Sequence, residues 1–329
     1  MPDNLSGGKE GMAMGKRGNA EQLHTISWQT RLRRQLPLIT MILPGVLYLF
    51  INNYIPMAGI VVAFKKVNYQ LGIFKSPWVG WKNFEYLFAS KDSWIILRNT
   101  LLYNVAFIFT NMVVATLVAV FLNEVKSRIG SRIYQAFLLI PYLLSWVVVG
   151  FLGYAFLNSR TGYINNVILP LFGAKPVSWY MDLKAWPWIL IIVNAWKNVG
   201  YYSVIYLAAI MGIDHSLYKA GRVDGTNWLQ EVVHITLPGI SPVLITMFLL
   251  QIGRIFYSDF GLFYQVPMNT GFLLPVTNVL DTYVYRALLL NNDISMSSAA
   301  GCFQAVMGLL VVVGANMLVR RVDADSAMF

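Results

Sequence analysis

Four stretches of this chain, Leu36 to Phe64, Asn99 to Asn123, Ile133 to Leu157 and Ile294 to Val319, contain no Asp, Glu, Lys or Arg. Each is long enough to cross a hydrocarbon layer of roughly 30 Å as a helix, which takes about 20 residues. Ala185 to Met211 is a further window interrupted only by Lys197, and Leu237 to Gly253 is another that runs into Arg254 and continues to about Ser258. In lipid every backbone N–H and C=O must find its partner inside the segment, so windows of this kind are helices. The expectation is an all-α integral membrane protein with six spans, at about 36–64, 99–123, 133–157, 185–211, 237–258 and 294–319. Composition agrees: 57% of the 329 residues are hydrophobic and 12% charged, about half the charge of a soluble domain, and the mean hydropathy is +0.56. This excludes a soluble Rossmann-type enzyme and intrinsic disorder. Phe260 to Leu280 is also uncharged, but Pro267, Asn269, Thr270, Gly271 and Pro275 interrupt it, and we read it as an external loop, partly re-entrant at most.

Orientation follows from the basic residues flanking the spans. Lys9, Lys16, Arg17, Arg31, Arg33 and Arg34 precede the first window, and Arg320 and Arg321 follow the last. Both ends are expected in the cytoplasm, as tails covering 1–35 and 322–329, with a loop at 212–236 on the same side. The first 35 residues lack the apolar core of a secretory signal. The net charge of +10 is scattered between apolar blocks, which fits loops at a membrane surface and not a nucleic-acid interface. The single cysteine, Cys302, permits no internal disulfide.

The loop between the fourth and fifth windows is patterned like folded structure. Asp214 or Ser216 can cap a short helix in which Leu217, Ala220, Gly221 and Asp224 recur at three- and four-residue spacing, and Asp224-Gly225 supplies a turn. A second short helix is expected from about Asn227 to Thr236, stopping at Leu237-Pro238. Small side chains on the exposed helix allow another protein's backbone to come close. An amphipathic helix pair lying on the membrane surface accounts for the same pattern.

Lys219-Ala220-Gly221, three residues, Gly225, nine residues, then Ile235-Thr236-Leu237-Pro238 resembles the cytoplasmic motif of permease subunits of binding-protein-dependent ABC importers: E-A-A, three residues, G, nine residues, I-x-L-P. Tyr54-Ile55-Pro56-Met57, Ser76-Pro77-Trp78-Val79-Gly80, Ile140-Pro141-Tyr142, Ser145-Trp146-Val147-Val148 and Asp281-Thr282-Tyr283-Val284-Tyr285-Arg286 are similar to the carbohydrate-uptake branch, its poly- and oligosaccharide permeases, those of alginate importers included. The resemblance runs from about residue 36 to 321. It implies the type I importer permease fold, with 212–236 as the coupling helix that seats in a groove of a cytoplasmic ATPase. The contact residues are then Lys219, Ala220, Gly221, Asp224, Gly225, Leu237 and Pro238. Two positions depart from the motif: Lys219 stands where the family has glutamate, and Gly221 where it has alanine. Any salt bridge made by that glutamate is absent or reversed here.

No nucleotide site is legible in the chain. The string Gly11 to Arg17 has the wrong spacing for G-x-x-x-x-G-K-[ST], so ATP and magnesium are expected on partner subunits, with no cofactor or metal held here. No Asp or Glu lies in the central part of any span, where secondary transporters place their coupling carboxylates. His24, His215 and His234 all fall in cytoplasmic segments and form no catalytic set. The expected function is therefore transport without enzymatic activity.

An ammonium in the fourth window costs roughly 2.5–3.5 kcal/mol on insertion scales and needs a polar cavity or a partner. Around Lys197 lie Asn194, Trp196, Asn198, Tyr201 and Tyr202, and the fifth window adds Gln251, Arg254 and Tyr257. Rings suit the apolar faces of sugars and amides suit their hydroxyls, so these nine residues are the candidate substrate pathway. Interhelical packing explains the same residues with Asn and Ser as hydrogen-bonding glue. Asp259 is expected to pair with Arg254, and Asn104 and Asn111, seven apart, to be structural. If Lys197 and Arg254 both reach the pathway its potential is positive, which favours an acidic saccharide such as a uronate oligomer. The expected assembly adds a second homologous permease, two ATPases and an external solute-binding protein docked on the loops 65–98, 158–184 and 258–293, all in the bacterial inner membrane. The competing reading is a channel or scaffold without an ATPase.

Overall fold

The computed structural model describes residues 28–89 and 91–322. The expected tails lie for the most part outside these residues, as do Gly11 to Arg17 and His24. The chain divides after Ala58 into two compact units. The first is helical: α1, Trp28–Leu49, carries Pro37 and Pro44 in its interior and continues through a π-helical turn, Phe50–Tyr54.

The second unit contains α2 (Lys82–Ala89), α3 (Lys91–Asn123), α4 (Arg128–Leu143), α5 (Trp146–Leu157), α6 (Trp186–Met211), α7 (His215–Val223), α8 (Trp228–Glu231), α9 (Leu237–Ile252), α10 (Phe260–Gln265), α11 (Leu280–Leu289) and α12 (Ile294–Val322). Among the described residues there is no β-strand, only the isolated bridge between Lys65 and Trp78. The protein is all-helical, as its backbone chemistry in lipid requires.

Two long helices, α3 and α6, form the axis of this unit. Towards one end Tyr103 and Phe107 of α3 pack with Trp186 and Leu190 of α6. Towards the other, Ala115 and Ala119 of α3 meet Val199, Tyr206, Leu207 and Ile210 of α6, joined by Ile240 of α9. Small residues at the crossing let backbones approach in a medium that gives no hydrophobic drive between helices. The approach of α4 is closest at Gly200, where an added Cβ would stand 1.8 Å from the carbonyl oxygen of Leu138.

Four described helices are long and apolar enough to cross a membrane: Gln35–Phe64, Asp92–Asn123, Trp228–Ile252 and Ile294–Arg321. The expected third span is broken. Its two halves, α4 and α5, meet at a bend of 94°, with Leu144 extended at the break and Ser145 capping α5 through its hydroxyl. The expected fourth, α6, is 26 residues long but falls outside the apolar set, because asparagines, tyrosines, tryptophans and Lys197 dilute it.

The expected fifth span ends at Ile252, six residues early, in turns that place Arg254 and Tyr257 beyond its end. Its beginning also differs: Pro238 does not stop the preceding helix. A π-helical turn at Val232–Thr236 joins α8 to α9, with Leu237 N–H donating to Val232. The wider turn accommodates the N–H that proline lacks.

Residues 260–280, expected as an external loop, are part of the core. Leu262, Val266, Leu273 and Val279 are fully buried against α3 and α6. The backbone there is irregular, with Met268 and Asn269 left-handed, and α3 supplies the polar groups that such backbone requires. Asn99 donates to the carbonyls of Pro275 and Asn278, Tyr103 to that of Val276, and Thr100 accepts from Leu280 N–H.

The break between α4 and α5 deprives carbonyls at the end of α4 of helical partners, Pro141 keeping only a 3.3 Å bond from Leu144 N–H. Lys197 of α6 fills this vacancy. Its ammonium donates to the carbonyls of Pro141 at 3.1 Å, Tyr142 at 3.0 Å and Leu144 at 2.5 Å, and lies 4.9 Å from the Trp146 ring centroid. A cation at a helix C-terminus also meets the negative end of the dipole. Lys197→Met should lower the stability of the purified protein by about 2–3 kcal/mol, because three carbonyls lose a charged donor. Thermal unfolding in detergent would show this, and an unshifted midpoint with impaired transport would place Lys197 in the substrate path instead.

Candidate functional site

Two regions carry the sequence-derived site residues. The first is the segment between α6 and α9. Asp214 caps α7 by accepting from Ser216 N–H at 2.8 Å, which holds its carboxyl below the usual carboxylate range. At the other end Thr226 N–H reaches back to Gly221 C=O and Gly225 N–H to Arg222 C=O. This is a Schellman closure, with Gly225 at φ +81°, a conformation that side chains disfavour.

Asn227 then caps α8 in a reciprocal box with Gln230, the two bonds being 2.9 and 2.8 Å. Arg222 pairs with Glu231 at 3.0 Å, Tyr218 and Thr236 share a hydroxyl bond of 2.9 Å, and Trp228 stacks on Phe121 of α3. The result is a braced knob. Its outward surface carries Lys219, Ala220, Asp224 and Gly225 in the open, with Leu217 and Val223 exposed beside them. Gly221 faces inward, where a Cβ would stand 2.9 Å from Thr226 Oγ1, so alanine at this position would crowd the Thr226 side chain. Leu237 is half-buried and Pro238 exposed at the start of α9.

The second region is a cavity of about 460 Å³ bounded by α3, α4, α6 and α9. On α6 it is lined by Asn194, Asn198, Tyr201 and Tyr202, which share one helical face. Asn104, Phe107, Ile108 and Asn111 do the same on α3, and Met247, Leu250 and Gln251 on α9. Arg254, Tyr257 and Asp259 close one side, and Tyr142 of α4 stacks on Tyr201 at 4.7 Å.

Seven of the nine expected pathway residues therefore border one space. Lys197 and Trp196 do not. Lys197 is buried on the α4 carbonyls, and Trp196 is exposed elsewhere; in both cases the helical rotation decides. Asn104, Asn111 and Tyr142 were not expected in the lining. The seven-residue spacing of the two asparagines carried the signal for them, whereas Tyr142 depends on the bend after α4.

The expected Arg254–Asp259 pair does not form. Asp259 instead caps α10 through Gly261 N–H at 2.9 Å and accepts from Trp146 Nε1 at 2.7 Å. Arg254 is thereby left exposed to the cavity as its one cationic lining residue. Apart from the Asp259 carboxylate, which is engaged as the α10 cap, the rest of the wall is uncharged and rich in amides. Asn198 donates to Asn194 at 2.9 Å, and Gln251 Nε2 is buried without a hydrogen-bond partner, an uncompensated donor whose burial is costly. Among the described residues no group of histidine, cysteine or carboxylate side chains is arranged to hold a metal.

The chain is 33% identical over 301 residues to Protein LplB of Bacillus subtilis (strain 168), spanning 91% of this chain and 93% of that protein. It is 36% identical over 294 residues to the polygalacturonan/rhamnogalacturonan transport system permease protein YteP of the same organism, spanning 88% and 90%. Its structure superposes with a TM-score of 0.82 and 31% identity on a chain of the crystal structure of a bacterial ABC transporter involved in the import of the acidic polysaccharide alginate, covering 90% of this chain and 99% of that one. The family model described as binding-protein-dependent transport system inner membrane component matches residues 95–324. With the helical bundle, the apolar spans and the match over most of its length, the chain belongs to the inner-membrane permease components of binding-protein-dependent ABC transport systems.

Proposed function

We propose that this protein is the permease subunit of an ATP-driven importer of acidic oligo- or polysaccharide, working by alternating access around the α3–α6–α9 cavity. The observation that carries the reading is the cavity wall: tyrosine rings, asparagine and glutamine amides, an unpartnered Gln251 donor and Arg254 border one space. Rings cover the apolar faces of a pyranose, amides bond its hydroxyls, and a guanidinium can bind a uronate carboxylate in two places. The relatives named for polygalacturonan/rhamnogalacturonan transport and for alginate import support the choice of an acidic chain.

The topology we propose has six crossings, about 36–64, 99–123, 133–157, 185–211, 237–258 and 294–319, with both ends in the cytoplasm. It takes the bent α4–α5 pair as one span and the polar α6 as another. A six-span subunit is a thin wall for a path, so we pair it with a second homologous permease. Two cytoplasmic ATPases carrying ATP and magnesium, and an external binding protein on the loops 65–98, 158–184 and 258–293, complete the assembly. The bacterial alginate ABC transporter solved in complex with an alginate pentasaccharide-bound periplasmic protein supports such docking.

The knob of α7 and α8 is the coupling helix in this reading. Leu217, Ala220 and Val223 offer an apolar exposed surface on a segment braced at both ends, as seating in a groove of another protein requires. Lys219, where the family motif has glutamate, faces the solvent beside it and calls for an acidic or neutral contact on the ATPase.

Two measurements test the proposal. In the reconstituted assembly Gly225→Pro and Ala220→Trp should reduce substrate-stimulated ATP hydrolysis to the unstimulated rate, with the protein still inserted; full stimulation in both would exclude coupling through this segment. Arg254→Gln should slow uptake of a uronate oligomer into vesicles about tenfold or more, the loss of one charged hydrogen bond, and leave a neutral oligomer of equal length little changed. Wild-type preference for the neutral oligomer would refute the acidic assignment.

A further inference from the structure

A further cavity, of about 500 Å³, opens where α3 ends, α4 begins and α6 ends. It lies at the end of the bundle that carries the knob, since Phe121 near the close of α3 stacks on Trp228 of α8. Its floor is apolar, with Leu122 and Leu207 both buried. One wall is α4, where Arg128, Ser131, Arg132 and Gln135 follow each other at helical spacing on a single face. Ser131 Oγ accepts from Gln135 at 3.0 Å, which fixes the neutral half of the wall.

The two arginines are electrostatically misplaced if nothing binds. They occupy the first turns of α4, the positive end of its dipole, and the first turn contains no acidic residue. Among the described residues the one ion pair is Arg222 with Glu231, so no described carboxylate lies within ion-pair distance of Arg128 or Arg132. An anion between them would answer both guanidiniums. The surroundings indicate which kind of anion: Met211 of the lining is exposed, Ile129 and Ile133 are exposed on the adjoining face of α4, and a small soluble anion would leave that apolar surface uncovered.

We infer that this cavity seats the headgroup of an anionic phospholipid, with its phosphate between Arg128 and Arg132 and its acyl chains along Ile129 and Ile133. The inference rests on the proposed topology, which puts this end at the cytoplasmic leaflet. A basic pocket between helices at that depth has the chemistry of a lipid-headgroup site. Bound there, the lipid ties the starts of α4 and the ends of α3 and α6 together beside the knob.

The test is native mass spectrometry of the full chain in neutral detergent, with phosphatidylglycerol or phosphatidylcholine of equal acyl length as the probe. Wild type should retain phosphatidylglycerol preferentially. Each of Arg128→Gln and Arg132→Gln should cut that preference about fivefold, and the double variant about 30-fold, as expected for one surface cation each. Lys126→Gln, which removes a neighbouring charge outside the cavity, should keep it. Unaltered preference in the double variant, an equal loss in Lys126→Gln, or full displacement of the lipid by millimolar inorganic phosphate would overturn the site. Binding in detergent does not depend on which way the chain faces, so the orientation is checked separately: Lys126→Cys should react with an impermeant thiol reagent only from the cytoplasmic side. Reaction from outside would overturn the topology and leave the binding result standing.

Discussion

The contact between the Lys197 ammonium and the last carbonyls of α4 governs the middle of this molecule. A helix pair bent by 94° exposes peptide oxygens inside the bundle, and a charged lysine buried on a neighbouring helix is costly there too. Each defect cancels the other. Because the break is tolerated, α4 turns away after Leu143 and Tyr142 can stack on Tyr201 at the cavity wall. Because the lysine is spent on carbonyls, the cavity is lined by amides and rings with Arg254 as its cation.

The same economy of polar groups recurs at the ends of α3. Asn99, Thr100 and Tyr103 satisfy the irregular backbone between Pro275 and Leu280, which would otherwise be untenable in a buried position. Asn104 holds the turn after α9 through the Ile255 carbonyl and Ser258. Polar residues on a spanning helix thus divide into those used up by neighbouring backbone and those left facing the cavity. The division follows helical rotation: along α6, Asn194, Asn198, Tyr201 and Tyr202 share the cavity face and Lys197 turns aside from it.

How much of this was legible in the sequence depends on the kind of signal. Charge-free windows gave the helix at 294–321 to within two residues and the end of the helix at 92–123, whose start they placed seven residues late at Asn99, since length and hydropathy are local properties. The 94° break at 144–145 was not legible, because Ser145 as a cap reads like any serine inside an apolar run, and Lys197, which stabilises the break, lies more than fifty residues away. Pro238 read as a stop, yet a π-turn absorbs it; the choice between stopping and widening is made by packing of α9 on its neighbours. The core role of residues 260–280 was hidden for a related reason: their prolines and Asn269 signal loop, and the hydrogen bonds that let a loop be buried come from α3, Tyr180 and Arg286, all distant in sequence or on other elements. Seven residues of the cavity lining emerged from residue type alone, while the placement of Lys197 and Trp196 required the rotation of α6 about its axis. The Arg254–Asp259 pair failed on geometry, since Asp259 is consumed as a helix cap.

The π-turn at Val232–Thr236 has a mechanical consequence. It makes Trp228 to Ile252 one uninterrupted rod of 25 residues, roughly 37 Å at 1.5 Å per residue. Its foot carries the Asn227–Gln230 box and its head carries Gln251. The π-turn and Pro242 are the two places where this rod can bend, so a tilt imposed at the foot reaches the chamber's wall only as far as those two points stay stiff.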